Sequence, residues 1–210
     1  VKQRRYYLMG TVGAGKSTLR KHLARQLPAA SIYPEWPEPM ARRVGHAMDT
    51  LDIQDAESVQ SWIFTQLGRK NALVSADPAQ LLIIDRSPLD TFAFYPPQLW
   101  QQRARQLLDL PAPSAGELIF VHGNPATMHA RMDSSRGYTV NTLAAQQSAF
   151  ELLLDWLQHY CGYTARRINT DGLNPSQIAQ RAQEIIAERN YQELDIAAAI
   201  QQITAQFPQS

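Results

Sequence analysis

Gly10-Thr11-Val12-Gly13-Ala14-Gly15-Lys16-Ser17 fits the phosphate-binding pattern G-x-x-x-x-G-K-[ST] without a mismatch. Ahead of it, Arg5-Tyr6-Tyr7-Leu8-Met9 is an aromatic and apolar run that reads as a buried strand. Behind it, Leu19, Leu23 and Leu27 fall at i, i+4 and i+8, so a helix opens at Lys16 with one apolar stripe. Strand, glycine loop and helix are the context in which this pattern works.

The residue types follow from the chemistry. Polyphosphate oxygens need many N–H donors converging on a small volume. Gly10, Gly13 and Gly15 let the backbone curl that tightly. The loop amides of Gly10, Val12, Gly13, Ala14, Gly15, Lys16, Ser17 and Thr18 are therefore the candidate nucleotide-binding set. The first helical turn adds unpaired N–H groups at the positive end of the helix dipole. Lys16 supplies a mobile positive charge for the β- and γ-phosphates, and the Ser17 hydroxyl suits Mg²⁺.

The composition sets bounds. The chain has 210 residues, which suggests one domain with at most an appendage. Its 44% hydrophobic and 19% charged content is that of a soluble globular protein. A net charge of +1 gives no bulk attraction to nucleic acid or anionic membrane. The lone Cys161 excludes an internal disulfide and fits a reducing compartment. Val1-Lys2-Gln3-Arg4-Arg5 leads into a short strand rather than an apolar core, so no signal peptide is expected. No apolar run approaches a membrane span, and a cytoplasmic location is the default expectation.

Along the chain, strands are expected at about 5–9, 31–33, 81–85, 117–122 and 163–168. Helices alternate with them: about Met40 to Met48, 55–73, Leu99 to Leu108, one from Pro125, Thr142 to Tyr160, and Asn174 to Ala187. Leu81-Leu82-Ile83-Ile84-Asp85 is apolar until it ends on a carboxylate, as a central parallel strand buried on both faces does. The alternation predicts a three-layer α/β fold with a five-stranded parallel sheet and helices on both faces. The tail, Tyr191 to Phe207, is expected to be helical, with Ile196, Ile200, Ile203 and Phe207 on one side.

Several stretches, in order, resemble the deoxynucleoside kinases of the P-loop kinase superfamily. They are the phosphate loop; Pro37-Glu38-Pro39-Met40-Ala41-Arg42-Arg43; Asp85-Arg86-Ser87-Pro88-Leu89-Asp90-Thr91-Phe92-Ala93-Phe94; the lid from Arg131 to Arg136; and Asn169-Thr170-Asp171-Gly172-Leu173. The resemblance spans roughly 5 to 188. It implies a P-loop kinase fold over about 1–190 with a lid near 131–138, followed by a helical tail over 191–210. The implied activity is transfer of the γ-phosphoryl of ATP to a hydroxyl of a nucleoside-like molecule, with Mg²⁺. In that reading Glu35 or Glu38 is the catalytic base, since Pro34-Glu35 and Pro37-Glu38 both fit the motif. Arg86 holds the acceptor's reacting end and the transferring phosphoryl. Asp85 acts on Mg²⁺ with Ser17, or orients Arg86. Arg131 and Arg136 stabilise charge from the lid, and Asp171 lies beside the adenine.

This chain departs from the resembled family in two places. Its lid carries two arginines with Asp133 between them. Seven residues before Arg69, where the family has a base-reading glutamine, stands Trp62. Gln60 and Gln66 are the nearby substitutes; Trp36, Phe64 and Asp90 complete the candidate acceptor set. Three rivals stay open: a nucleoside monophosphate kinase similar to thymidylate kinase, a kinase of another small hydroxyl compound, and a nucleotide-binding switch or ATPase without an acceptor. For a second phosphate on the acceptor the third helix region offers Arg42, Arg43, Arg69 and Lys70, against the carboxylates Glu35 and Glu38; the balance favours a neutral acceptor. The tail and the exposed helical faces allow a homodimer, as in the resembled family. No nucleic-acid or membrane partner is expected.

Overall fold

The computed structural model describes residues 2–35, 56–132 and 137–206, without the side chains of 56–60. Five strands form one sheet: β1 (Arg4–Met9), β2 (Ser31–Tyr33), β3 (Leu81–Asp85), β4 (Glu117–His122) and β5 (Arg166–Asn169). All neighbours pair in parallel, in the order β2-β3-β1-β4-β5. This is the P-loop kinase-like α/β architecture. The order reverses at β1, which lies between β3 and β4. Open α/β sheets bind ligands in the crevice at the carboxyl ends of the strands beside such a reversal. The loop after β1 and the Asp85-Arg86 tip of β3 both end there.

The alternation of side chains along β1 builds two cores. Tyr7 and Met9 face one side with Leu82, Ile84, Leu118 and Phe120; Tyr6 and Leu8 face the other with Ile83, Ile119, Val121 and Ile168. The first side is covered by α2 (Ala56–Ala76), α3 (Asp90–Ala93), α4 (Trp100–Leu108), α6 (Val140–Cys161) and α8 (Ile196–Gln206). The second is covered by α1 (Lys16–Gln26), α5 (Pro125–Ala130), α7 (Pro175–Ala187) and the first turn of α6. The expected three-layer fold is thus the observed one. Thr139 and Asn174 cap α6 and α7 with reciprocal capping boxes, and the left-handed Gly162 ends α6.

The last strand and the tail helix start later than expected, and one element was unforeseen. The last strand begins at Arg166 rather than Tyr163. Residues 163–165 lie outside the ladder because the Leu118 N–H donates to the Tyr163 phenol oxygen, and pairing starts at Ile119 with Arg166. The tail helix starts at Ile196 rather than Tyr191. Before it, Leu194 makes an antiparallel bridge to Gly116, and the Tyr191 hydroxyl both accepts from Arg5 N and donates to Arg5 O. Ile196, Ile200 and Ile203 are fully buried on the expected stripe. The short α3 is the unforeseen piece; it sits in the proline-rich stretch directly after β3. The helix expected from Met40 to Met48 lies outside the described residues. Among the described residues no helix is long and apolar enough to cross a membrane.

Candidate active site

The loop after β1 folds tightly because two positions tolerate nothing larger than glycine. Gly10 has φ +135°, and a Cβ there would lie 2.1 Å from Val121 O. Gly15 has φ +94° and serves as the N-cap of α1. Lys16 is 6% exposed, and its ammonium group donates to Gly10 O at 2.7 Å and Thr11 O at 2.8 Å. Burial, reinforced by the nearby Arg86 charge, pulls its pKa down to about 8, against the carboxylates Asp85, Asp90 and Glu35. Ala14 is buried and donates back to Thr11 O within the loop.

Facing the loop is a network of buried charge. Arg86 lies at the strand tip with φ +69°, the one positive φ outside glycine among the described residues. Its Nε donates to Glu35 Oε1 at 2.5 Å, and one terminal nitrogen donates to Asp90 Oδ2 at 3.2 Å and Gly10 O at 3.4 Å. The Phe94 ring lies under its guanidinium at 4.9 Å. Burial alone would raise the Glu35 pKa, but the Arg86 and Lys16 charges outweigh it and hold Glu35 below the usual carboxylate range. Asp90 is 2% exposed, and burial pushes its pKa up to about 6 despite Arg86 and Lys16.

The sheet tip also holds a pair of oxygen donors. Ser17 Oγ donates to Asp85 Oδ2 at 3.3 Å, with Arg20 Nε 3.5 Å from the same oxygen. Asp85 is 1% exposed, and its Oδ1 has no partner among the described residues. A hard divalent cation such as Mg²⁺ prefers carboxylate and hydroxyl oxygens. The orphaned Oδ1 and the Ser17 hydroxyl therefore fit the ion the sequence implies.

The loop, Glu35, Arg86, Arg131 and the start of α7 line one cleft of about 360 Å³. Val12, Gly13, Gly15, Lys16, Ser17 and Thr18 of the loop line it, together with the apolar side chains of Leu173, Pro175 and Ile178. Arg131 reaches it while donating to Thr170 O at 3.1 Å and Thr170 Oγ1 at 3.4 Å. Both carboxylate oxygens of Asp171 accept from Asn124 N, at 2.8 and 2.9 Å. Phe64 packs in the core with Leu67 and Val74. Gln66 is 2% exposed, and its side-chain oxygen has no partner among the described residues. Glu38, Trp36 and Arg136, the side chain of Gln60, and the cations Arg42 and Arg43 lie outside the described residues.

Sequence reasoning overlooked two contributors, Gln146 and Met132, and the main-chain partners of a third, Lys70. Gln146 of α6 accepts from Val12 N at 2.9 Å, pinning the crest of the loop. Met132 covers Gly13, where a Cβ would lie 2.7 Å from Met132 Sδ. Lys70 of α2 does not point at an acceptor phosphate: it donates to Asp85 O, Arg86 O and Glu35 O, at 2.9, 3.1 and 3.3 Å.

A family model described as an AAA domain matches residues 5–174. The chain belongs to the AAA domain family. No curated protein matches the sequence. Among solved structures, it is similar to deoxyadenosine kinase from M. mycoides with bound dATP, at 14% identity and TM-score 0.60, over 88% of this chain and 100% of that one. Thymidylate kinase from Ehrlichia chaffeensis matches at 14% identity and TM-score 0.60, covering 89% of this chain and 100% of that one. Thymidylate kinase from Candida albicans matches at 15% identity and TM-score 0.64, covering 92% and 98%. At these identities the likeness carries the fold, and the site's chemistry rests on this chain's own residues.

Proposed function

We propose that this AAA-domain chain is an ATP-dependent phosphotransferase of nucleoside-kinase type, moving the γ-phosphoryl of ATP to a hydroxyl of a neutral, nucleoside-like small molecule. The observation that carries the reading is the Glu35–Arg86 pair in the same cleft as Lys16 and the loop amides. A carboxylate held by a cation that forks onto oxygens, next to the loop, suits activation of an attacking hydroxyl and stabilisation of the moving phosphoryl.

The steps follow from the residues. The loop amides and the start of α1 bind the β- and γ-phosphates. Lys16 leaves Gly10 O and Thr11 O for the phosphate oxygens, where its charge counts most as the transition state forms. Glu35 is ionised at neutral pH and accepts the proton of the attacking hydroxyl. The hydroxyl oxygen bonds to the γ-phosphorus while the bond to the ADP oxygen breaks in line, and the proton ends on Glu35. Arg86 exchanges part of its hold on Glu35 for the moving phosphoryl. Ser17 and Asp85 would hold Mg²⁺, which when bound neutralises phosphate charge. The apolar side chains of Leu173, Pro175 and Ile178 suit the nucleotide base, and Arg131 is in reach of the triphosphate.

Preference for a neutral acceptor is supported by the state of the cations. Arg86 is tied to Glu35 and Asp90, and Lys70 to three carbonyls. A screen of nucleosides, nucleotides and small hydroxyl compounds for ADP release tests the assignment. An acceptor that raises ADP formation well above the acceptor-free rate, with a phosphorylated product, is the expected result. ADP formation indifferent to every acceptor would instead describe an ATPase or switch.

A further inference from the structure

Among the described residues, Lys70 is a deeply buried cation beside Glu35 and Arg86 that the transfer chemistry does not use. It is 2% exposed and lies on α2, one helix away from both strand tips. An ammonium group has three donors and no acceptor. Here the donors are met by three main-chain oxygens, Asp85 O, Arg86 O and Glu35 O. Among the described residues no carboxylate lies in ion-pair range of it; Asp85, Glu35 and Asp90 act on its charge from farther off. A charge buried this deeply is costly unless fully hydrogen-bonded. A neutral apolar side chain would fill the space without that cost, so the donors themselves have a use.

The three oxygens belong to the residues that must be positioned. Glu35 follows β2; Asp85 and Arg86 end β3. Arg86 adopts the left-handed conformation that a non-glycine residue avoids, and such strain persists only where the surroundings over-determine it. Its N–H donates to Leu8 O, extending the ladder, while its carbonyl turns to Lys70. Ser87 N then donates to Asp90 Oδ1. The turn is thus pinned on both sides of Arg86, and the pins leave the guanidinium over Glu35, Asp90 and Gly10 O.

We propose that Lys70 is a positioning residue for phosphoryl transfer: it clamps the tips of β2 and β3 together and holds Arg86 in its left-handed turn, so that Glu35 and Arg86 meet in the cleft. The inference rests on the reading that Glu35 and Arg86 serve the transfer. Lys70 acts through them and touches neither ATP nor acceptor.

A double-mutant cycle on the full chain tests it: wild type, Lys70→Met, Arg86→Met and the double variant, each measured for kcat and for the KM of ATP with the best acceptor. Lys70→Met should lower kcat by about 30-fold or more while the KM of ATP stays within about threefold. In the Arg86→Met background the same change should lower kcat by less than about threefold, because the group it positions is gone. Lys70→Arg, which keeps the donors and the charge, should recover part of the loss. A lysine that served stability alone would lower Tm without separating kcat from KM, and its effect would add to that of Arg86→Met; additivity overturns the proposal. A Lys70→Met enzyme with kcat within about threefold of wild type also overturns it. If Lys70→Met does not fold, Lys70→Gln replaces it in the cycle, and the same two results overturn the proposal. If Arg86→Met itself leaves kcat intact, the role of Arg86 in the transfer fails first, which separates that failure from the failure of the clamp.

Discussion

The two walls of the cleft are built on different principles. The donor wall is main chain: loop amides, glycine dihedrals and a helix start, with one mobile cation, Lys16. The acceptor wall is side chain: Glu35 and Arg86 line the cleft, backed by Asp90 and Lys70, and a ring lies under the guanidinium. A main-chain cradle accepts any polyphosphate and tolerates change around it. An interlocked set of buried charges leaves few donors for a new ligand and fails together when one member is removed. On the proposed reading the donor wall is generic, and the acceptor wall selects what is phosphorylated.

The largest effect should come from Lys16, the one ammonium group on the donor wall among the described residues. Lys16→Ala should lower phosphoryl transfer by about 10²–10³-fold with the fold intact, the scale of losing one transition-state charge contact. Steady-state kinetics with circular dichroism as the folding control checks it. A variant that keeps more than about a tenth of the rate, a barrier change of only ~1.4 kcal/mol, would leave the loop without its assigned role. Next comes the carboxylate of the acceptor wall. Glu35→Gln should lower kcat by roughly 10², the usual range for a general base, and Glu38→Gln should be mild. The reverse ranking would move the base to Glu38.

The pH profile sharpens the contrast between binding and stability. Lys16 and Lys70 both have pKa values pulled down to about 8 by burial. In the free enzyme Lys16 loses its charge above that pH, so kcat/KM for ATP should fall, by about tenfold per unit at the limit. Stability should move the other way. The folded pKa values lie below the unfolded 10.5, so the unfolded chain binds more protons between about 8 and 10.5. Over that window these two groups make stability rise with pH. Denaturant midpoints and kcat/KM that fall together there would contradict the burial of these lysines. The smallest effect belongs to the loop crest. Gln146→Leu removes the acceptor of Val12 N and should raise the KM of ATP a few-fold with kcat nearly unchanged, the mark of lost uniform binding.

The difference between the walls also explains what could be read from the chain. The donor wall is contiguous in sequence, so its glycines, Lys16 and Ser17 announce themselves as a pattern. The strand ending in Asp85-Arg86-Ser87 was legible for the same reason, being an apolar run broken by charge. Glu35 and Glu38 were equivalent in sequence; among the described residues, Glu35 meets Arg86. The supports behind both walls, by contrast, are assembled by tertiary packing. Lys70 stands with Leu67 and Val74 at helical spacing on the buried side of α2, and Gln146 stands between Leu143 and Phe150 on that of α6. A polar residue on an apolar stripe is the one sign either left in the sequence, and it does not say where the group reaches. Asp171 was a motif position in the sequence; the bond its carboxylate accepts from Asn124 N is visible only in the structure.

The most direct test of the account compares matched pairs of a nucleoside and its 5′-monophosphate in a coupled ADP assay, with an acceptor-free control. With Arg86 and Lys70 already engaged, the nucleoside should have the higher kcat/KM and should raise ADP formation well above the control. A monophosphate preferred by more than about tenfold, roughly 1.4 kcal/mol, or an ADP rate that neither acceptor changes, would contradict it.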